Sequence, residues 1–154
     1  MAKRAYKYRF YPTPEQVVLL AQTFGCVRFV YNSVLRWRSD AYRQRQEKVG
    51  YAGASARLTQ LKRDPELAFL ADVSCVPLQQ CLRHQQTAFK NFFEGRAQYP
   101  AFKRKRGHQS AEFTRSAFSY REGQLYLAKS KTRLDIRWSR ELPCAPSTVT
   151  VSMD

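Results

Sequence analysis

Acidic residues are scarce in this sequence. Its 154 residues include 12 Asp and Glu against 27 Lys and Arg, which leaves a formal charge of +15 at pH 7. So many positive charges repel one another unless a polyanion lies against them. Nucleic acid is therefore the first candidate partner, and an anionic membrane surface is the alternative. No hydrophobic run reaches the roughly 18 residues of a membrane span, and no signal-peptide core follows Met1. We therefore expect a cytoplasmic protein with no membrane partner.

Clusters of metal ligands and catalytic residues are also missing. The four cysteines include no Cys-x-x-Cys pair, and His84 and His108 complete no zinc knuckle. The acids are scattered, whereas metal-dependent cleavage of a phosphodiester needs two or three carboxylates that converge on divalent ions. A His-x-His site, a nucleophile elbow and a P-loop are all absent. We expect no metal, no cofactor and no enzymatic activity in this chain.

The N-terminal third predicts one strand and two helices. Residues 3–11 alternate basic and aromatic side chains, which is typical of a strand, and Pro12 ends it. Thr13 and Gln16 have the spacing of a capping box, so a helix should begin there. The helical pattern continues to residue 42, and we expect Gly25 to divide it into two helices. That outline is typical of a helix-turn-helix, although it also occurs in many other helical domains.

Further helices are predicted in the middle of the chain. Residues 49–56 are rich in Gly and Ala and predict a loop, and Ser55 could cap a short helix. Another short helix is expected over residues 65–70. Ser74 should cap the third long helix, which Gly95 closes. Its apolar stripe, which we expect in the core, consists of Leu78, Leu82, Gln85, Phe89, Phe92 and Phe93.

The last third of the chain changes to a period of two. Strands are predicted over residues 112–120, 124–129, 134–138 and 148–151, with a turn at Glu122 and Gly123. Since one strand precedes the helices and the others follow them, the fold class is α+β. We expect a helical, helix-turn-helix-like bundle inserted into a partial antiparallel β-barrel. The expected divisions are a first strand in 1–11, a helical domain in 12–109 and the remaining strands in 110–154.

Basic side chains beside aromatic ones are the main candidates for binding nucleic acid. Tyr99 and Phe102 stand next to four consecutive cations, Lys103, Arg104, Lys105 and Arg106. This combination offers neutralisation of phosphates beside stacking surfaces, and a solvated turn is the alternative.

Two further groups of cations are less specific. Arg36 and Arg43 lie on one face of the second predicted helix, but their spacing from Asp40 and Glu47 also suits ordinary ion pairs on a solvated helix. The later strands suggest one basic sheet face, made of Lys129, Lys131, Arg133, Arg137 and Arg140.

Several strings in this sequence occur together in a known family. They are Tyr8-Arg9-Phe10-Tyr11-Pro12-Thr13, Gln16, Phe24-Gly25-Cys26-Val27-Arg28-Phe29-Val30-Tyr31-Asn32, Leu78-Gln79-Gln80, Ala88-Phe89-Lys90-Asn91-Phe92-Phe93, Tyr99-Pro100-Ala101-Phe102-Lys103 and Pro146-Ser147-Thr148-Val149-Thr150-Val151. In sequence and order they resemble the N-terminal part of the TnpB (OrfB) family, which bacterial insertion sequences encode. The similarity runs from Lys3 to Asp154. It implies a wedge-type β-barrel in 1–11 and 110–154, interrupted by a helical recognition domain in 12–109.

The resemblance also implies a function. Full-length members are RNA-guided DNA endonucleases, so the implied partners are a guide RNA from the transposon end and target DNA, in a bacterial cytoplasm near the nucleoid. Contacts with the motif that flanks the target carry over to Tyr51, Ser55, Gln79 and Thr114. Cys75 and Val76 stand where the family can have a polar or aromatic contact, so the sequence of that motif stays open.

The chain stops at Asp154, before the RuvC-like nuclease domain and the four-cysteine zinc element that the resemblance implies. We therefore expect a nucleic-acid-binding N-terminal portion of such a nuclease, described as a transposase accessory protein, that does not cut DNA itself. One alternative is a stand-alone helix-turn-helix regulator that places the helix from Cys26 in the major groove through Arg36 and Arg43. The other is a nonfunctional remnant that binds polyanions by charge alone.

Overall fold

A single helix of 32 residues, α1 (Pro14–Arg45), occupies the segment expected to hold two helices. It is the longest element of the computed structural model, which describes residues 3–153. Gly25 lies inside α1 with helical backbone, so the expected break is wrong. A glycine weakens a helix by only about 1 kcal/mol. The buried stripe continues across it from Phe24 to Val27, and this packing outweighs the weakness.

The start and the end of α1 are both fixed by local hydrogen bonds. The backbone N–H of Gln16 donates to Thr13 Oγ1 at 3.2 Å, and the backbone N–H of Thr13 donates to Gln16 Oε1 at 3.0 Å. This confirms the predicted capping box. At the other end Gln46 adopts a left-handed conformation, and its N–H bonds back to the last turn.

α1 also corrects the expectation that no segment could span a membrane. By length and composition alone it is apolar enough to cross one. Twelve of its side chains, including the polar Gln16 and Arg38, are however buried in the protein. This burial is typical of the central helix of a packed core.

α2 (Tyr51–Arg63) begins inside the segment expected to be a loop. Gly50 is its N-cap, and Ser55 lies in its second turn, so the expected cap at Ser55 is wrong. Alanines favour a helix more strongly than the single internal glycine opposes it. Ala54 and Leu58 are buried against the core, and they fix α2 in place.

Two more helical elements follow. A 3-10 helix covers Pro65–Asp72, and α3 covers Cys75–Phe93. Ser74 Oγ accepts the N–H of Val76 at 3.3 Å, which confirms the predicted cap. Gly95 has a φ of +75° just beyond the end of α3, where a residue without a Cβ is favoured. In the apolar stripe only the end differs from expectation, because Phe93 is half exposed.

The strands form three separate antiparallel pairs, and the fold is α+β as expected. The strands are β1 (Arg9–Tyr11), β2 (Gln109–Thr114), β3 (Phe118–Arg121), β4 (Gln124–Leu127), β5 (Asp135–Arg137) and β6 (Thr148–Met153). β1 pairs with β5, β2 with β6 and β3 with β4, so within residues 3–153 they do not close a barrel. The N-terminal strand does pair with a later one, and the helices therefore lie between two paired strands in the chain.

Most of the predicted strands are longer than the observed ones, whereas β6 extends two residues beyond the predicted 148–151. The strand expected over 112–120 is interrupted by a 3-10 turn at Arg115–Ala117, and β1 keeps only three of its nine expected residues. The predicted turn between β3 and β4 is confirmed, with φ of 52° at Glu122 and 74° at Gly123. An open cavity of about 820 Å³ lies among the strands, and its lining includes Tyr8 and Trp138.

Candidate nucleic-acid interface

The basic loop, residues 103–106, is held to α1 through one asparagine. Asn32 Nδ2 donates to the carbonyl oxygen of Lys103 at 2.9 Å, and the N–H of Lys103 donates to Asn32 Oδ1 at 2.7 Å. The Lys103 ammonium lies 4.6 Å from the centre of the Tyr31 ring, within the range of a cation–π contact. Both backbone polar groups of the first loop residue are therefore fixed to the helical core.

A second amide holds the loop from its other end. The side chain of Gln109 at the start of β2 is buried, and its Nε2 lies 3.2 Å, 3.1 Å and 3.0 Å from the carbonyl oxygens of Arg104, Lys105 and Gly107. The N–H of Gly107 also donates to the carbonyl oxygen of Arg104, which closes a turn. With its carbonyl groups drawn towards Gln109, the loop leaves its four cationic side chains exposed.

Three arginines of α1, called here the α1 arginines, lie on the face that contacts the segment from Tyr99 to the basic loop. At 3.6 residues per turn, five side chains fall within an arc of about 80°. They are Arg28, Asn32, Arg36, Ser39 and Arg43. Asn32 and Ser39 contact Lys103 and Tyr99, so the chain from Tyr99 to the basic loop passes along this arginine face.

The ion pairs expected if these arginines simply lay on a solvated helix do not form among the described residues. Arg36 with Asp40 and Arg43 with Glu47 are not among the ion pairs of residues 3–153. Because α1 ends at Arg45, Glu47 is off the helix and instead accepts a bond from Arg45 Nε at 2.9 Å. The cations of this face are left free to meet an external anion.

The two aromatic residues beside the loop differ in their surroundings. Tyr99 packs edge-on against Phe89 and Phe92, with ring centroids 5.4 Å and 5.1 Å apart, and its hydroxyl lies 2.7 Å from Ser39 Oγ. Phe102 is 56% exposed. Tyr99 therefore anchors the segment, whereas Phe102 presents a free ring for stacking.

A buried arginine, Arg38, joins the elements that lie beneath this surface. The Arg38 guanidinium donates to the carbonyl oxygen of Val49 at 2.6 Å and to Gln86 Oε1 at 2.8 Å, and it lies 4.0 Å from the centre of the Phe89 ring. Burial lowers the pKa of Arg38 from its ordinary value. These bonds join α1, α3 and the segment before α2, so the role of Arg38 is structural.

The residues expected to read a flanking motif lie on three elements. Tyr51 and Ser55 are one turn apart on α2, and Gln79 lies on α3, which packs against α2. The Arg83 guanidinium carbon, one turn beyond Gln79, lies 4.4 Å from the centre of the Tyr51 ring. Thr114 is the last residue of β2 and pairs with Thr148.

β2 is joined to α3 beside this group. Glu112 Oε2 lies 2.9 Å from His84 Nε2, and Thr114 follows on the same face of the strand. The structure thus brings three of the four residues onto two contacting helices and places Thr114 on a neighbouring strand. Arg83 was missed by the sequence reasoning, although its spacing of four residues from Gln79 on one helix face could have indicated it.

The cations of the strands do not form one basic sheet face. Lys129 follows β4 with a φ of 70°, whereas Arg137 lies in β5, which belongs to another sheet. Arg137 stands directly opposite Arg9, and both are exposed. Like charges in this position destabilise a strand pair unless an anion lies between them.

Comparisons with known proteins show the family to which this chain belongs. The family model for the helix-turn-helix domain of OrfB from IS605 matches residues 1–47. A candidate RNA-guided DNA endonuclease of Streptomyces pristinaespiralis is 59% identical over 155 residues, which are 99% of this chain and 39% of the relative. The virulence protein VsdF of Salmonella dublin is 33% identical over 68% of this chain and 95% of its own length. The chain belongs to the TnpB (OrfB) family.

A more distant relative extends the comparison. InsQ of Escherichia coli K12, a candidate RNA-guided DNA endonuclease, is 30% identical over 97% of this chain and 37% of its own length. The chain thus spans less than two fifths of the length of each of the two relatives named as endonucleases. Within the part matched to a helix-turn-helix domain, the structure has the single continuous helix α1 rather than two helices and a turn.

Proposed function

We propose that this chain is the nucleic-acid-binding portion of a TnpB-type RNA-guided DNA endonuclease and contributes no cleavage chemistry of its own. The basic loop and the α1 arginines would bind phosphates of the guide RNA, in a bacterial cytoplasm near the nucleoid. Tyr51, Ser55, Gln79 and Thr114 would contact the DNA motif beside the target, and Lys129 and Arg137 would add phosphate contacts from the strands.

The organisation of the basic loop carries this proposal. Four adjacent cations without an acid repel one another, so a chain that needed only solubility would leave such a segment mobile. Here Asn32 and Gln109 instead bond to the backbone of three residues of the basic loop, Lys103, Arg104 and Lys105, and Gln109 also bonds to that of the following Gly107. A loop held in advance loses less entropy when it binds, which favours a specific phosphate ligand over a diffuse one.

Two observations weigh against the alternatives. A stand-alone helix-turn-helix regulator needs a turn before its recognition helix, and α1 runs unbroken through that segment. A remnant that binds by charge alone would gain nothing from the fixed loop, since all 27 basic residues would serve it equally.

The test is a binding titration of the full chain with RNA from the transposon end, a scrambled RNA and a DNA duplex. One double variant, Arg104→Gln with Arg106→Gln, removes two cations of the basic loop. Its matched control, Lys62→Gln with Arg63→Gln, removes two exposed cations at the end of α2.

We expect preferential binding of the element's own RNA. The loop variant should lower the slope of log K against log salt by about 1.4 to 1.8, at roughly 0.7 to 0.9 for each phosphate contact, and the control should leave it unchanged. Equal binding of all three ligands, with equal losses in both variants, would instead establish the charge-only remnant.

A further inference from the structure

Two exposed aromatic rings lie side by side where α1 and α3 end. Phe93 is 49% exposed and Tyr42 is 40% exposed, and their ring centroids are 6.3 Å apart. Single exposed aromatic residues are common on protein surfaces, whereas adjacent exposed rings indicate a site of interaction with a ligand or partner. We call Tyr42 and Phe93 the aromatic patch.

The aromatic patch rests on packed neighbours. The ring of Phe93 lies 5.2 Å from that of Phe92 and 6.4 Å from that of Phe89, measured between centroids, and Phe89 is buried. Both of these rings also contact Tyr99. A ring supported in this way keeps its orientation, so it can stack on a flat ligand with little loss of entropy.

The charge around the patch favours an anionic ligand. The Lys48 ammonium lies 4.8 Å from the centre of the Phe93 ring. The two neighbouring acids are already paired, Glu47 with Arg45 and Glu94 with Arg96. What remains for a ligand is an aromatic surface with one cation over the Phe93 ring, and a base that stacks there would displace this flexible side chain towards a phosphate.

The patch is also continuous with the basic loop. Tyr99 touches the rings beneath the patch, and four residues later the same segment reaches Lys103 along the arginine face of α1. Aromatic rings for bases beside a line of cations for phosphates are the combination that binds single-stranded nucleic acid. A duplex hides the faces of its bases, so only unpaired bases could use these rings.

We propose that Phe93 and Tyr42 stack against unpaired bases of a single-stranded nucleic acid whose phosphates run along the α1 arginines to the basic loop. The inference rests on the proposed function, because it requires that the chain bind nucleic acid. It goes further by naming the single-stranded part of the ligand and the site that holds it.

The experiment uses the full chain and a short single-stranded RNA that carries 2-aminopurine, compared with the same RNA containing abasic positions. Phe93→Ala removes the stacking ring. Phe69→Ala is the matched control, since Phe69 is similarly exposed at 42% and touches one ring, that of Phe29. Phe93→Trp should restore the stacking surface.

We expect Phe93→Ala to weaken binding about 5- to 150-fold and to abolish the quenching of 2-aminopurine, while the salt slope stays the same. Phe69→Ala should bind as the unmodified chain does, Phe93→Trp should recover affinity, and abasic RNA should bind no better than the Phe93→Ala variant binds intact RNA.

Three outcomes would overturn the inference. If the chain binds RNA with the expected salt slope but Phe93→Ala has no effect, the aromatic patch is not the base site although the proposed function stands. If no nucleic acid binds, both fail. If sedimentation shows a dimer that Phe93→Ala dissociates, the patch serves a second copy of the chain instead.

Discussion

The helices and the strands of this molecule differ in how completely they are packed. Val30, Val34, Leu78 and Leu82, all on α1 and α3, have no exposed surface. The strands, in contrast, form three two-stranded sheets around an open cavity of about 820 Å³. A helix satisfies its backbone hydrogen bonds internally, whereas a strand needs a neighbour on each side, and an isolated pair is only marginally stable.

This difference shows where a binding surface can be rigid. The basic loop is tied to α1 by Asn32 and to the buried Gln109 of β2, the strand that packs against α3, so it takes its position from the packed part of the molecule. Arg137 instead lies in the isolated three-residue pair of β1 and β5, and Lys129 follows the hairpin of β3 and β4. We therefore expect the helices and the basic loop to provide the specific contacts with nucleic acid, and the strands to add positive charge.

The largest expected effect comes from truncating one leucine in each region. Leu82→Ala in α3 should lower the free energy of unfolding by about 3–5 kcal/mol, because the closed core cannot collapse around the lost atoms. Leu125→Ala in β4 should cost about 2 kcal/mol or less, since Leu125 already borders the open cavity. Urea unfolding followed by far-UV circular dichroism measures both, and equal losses would contradict the difference between the regions.

Sequence reasoning succeeded where the cause is local. The capping box at Thr13 and Gln16, the cap at Ser74 and the turn at Glu122 and Gly123 each depend on residues within a few positions of one another. The break expected at Gly25 failed because tertiary packing of the buried stripe overrides a weak local preference.

The residues of the candidate site were predictable from the sequence, but the contacts that hold them in place were not. Consecutive cations mark the basic loop in the sequence, but Asn32 reaches Lys103 across 71 positions, and no local pattern indicates such a contact. The same limit applies to Arg83, whose contact with Tyr51 depends on how α2 and α3 pack.

One side chain joins the two regions, and its removal should have an intermediate effect. Gln16 is buried, caps α1, and places its Nε2 3.0 Å from both Thr132 Oγ1 and the carbonyl oxygen of Arg133. Gln16→Ala should therefore destabilise the protein by about 1–3 kcal/mol, because it removes several hydrogen bonds that this buried side chain makes. Gln22→Ala, at an exposed position of α1, is the control in the same thermal melts, and equal melting temperatures would refute the role of Gln16.

The smallest expected effect appears only at alkaline pH and separates a cysteine of the packed core from one near the strands. Burial raises the pKa of the Cys81 thiol from its ordinary value of 9.0 to about 12, while the Lys103 ammonium opposes the shift. Because the pKa is raised in the folded state, the stabilisation is complete below the unfolded value and is lost as the pH rises towards the folded one.

Between about pH 8 and pH 9.5, the unmodified chain should therefore lose roughly 1 kcal/mol more stability than Cys81→Ala does. Burial, the largest cause of the raised pKa of Tyr31, acts in both proteins, and only the smaller contribution of Cys81 to that pKa is lost with the thiol. Cys144→Ala, which removes an exposed thiol between β5 and β6, should keep the pH dependence of the unmodified chain. If Cys144→Ala instead flattens that dependence as much as Cys81→Ala does, the core around Cys81 is no more closed to solvent than the strand side.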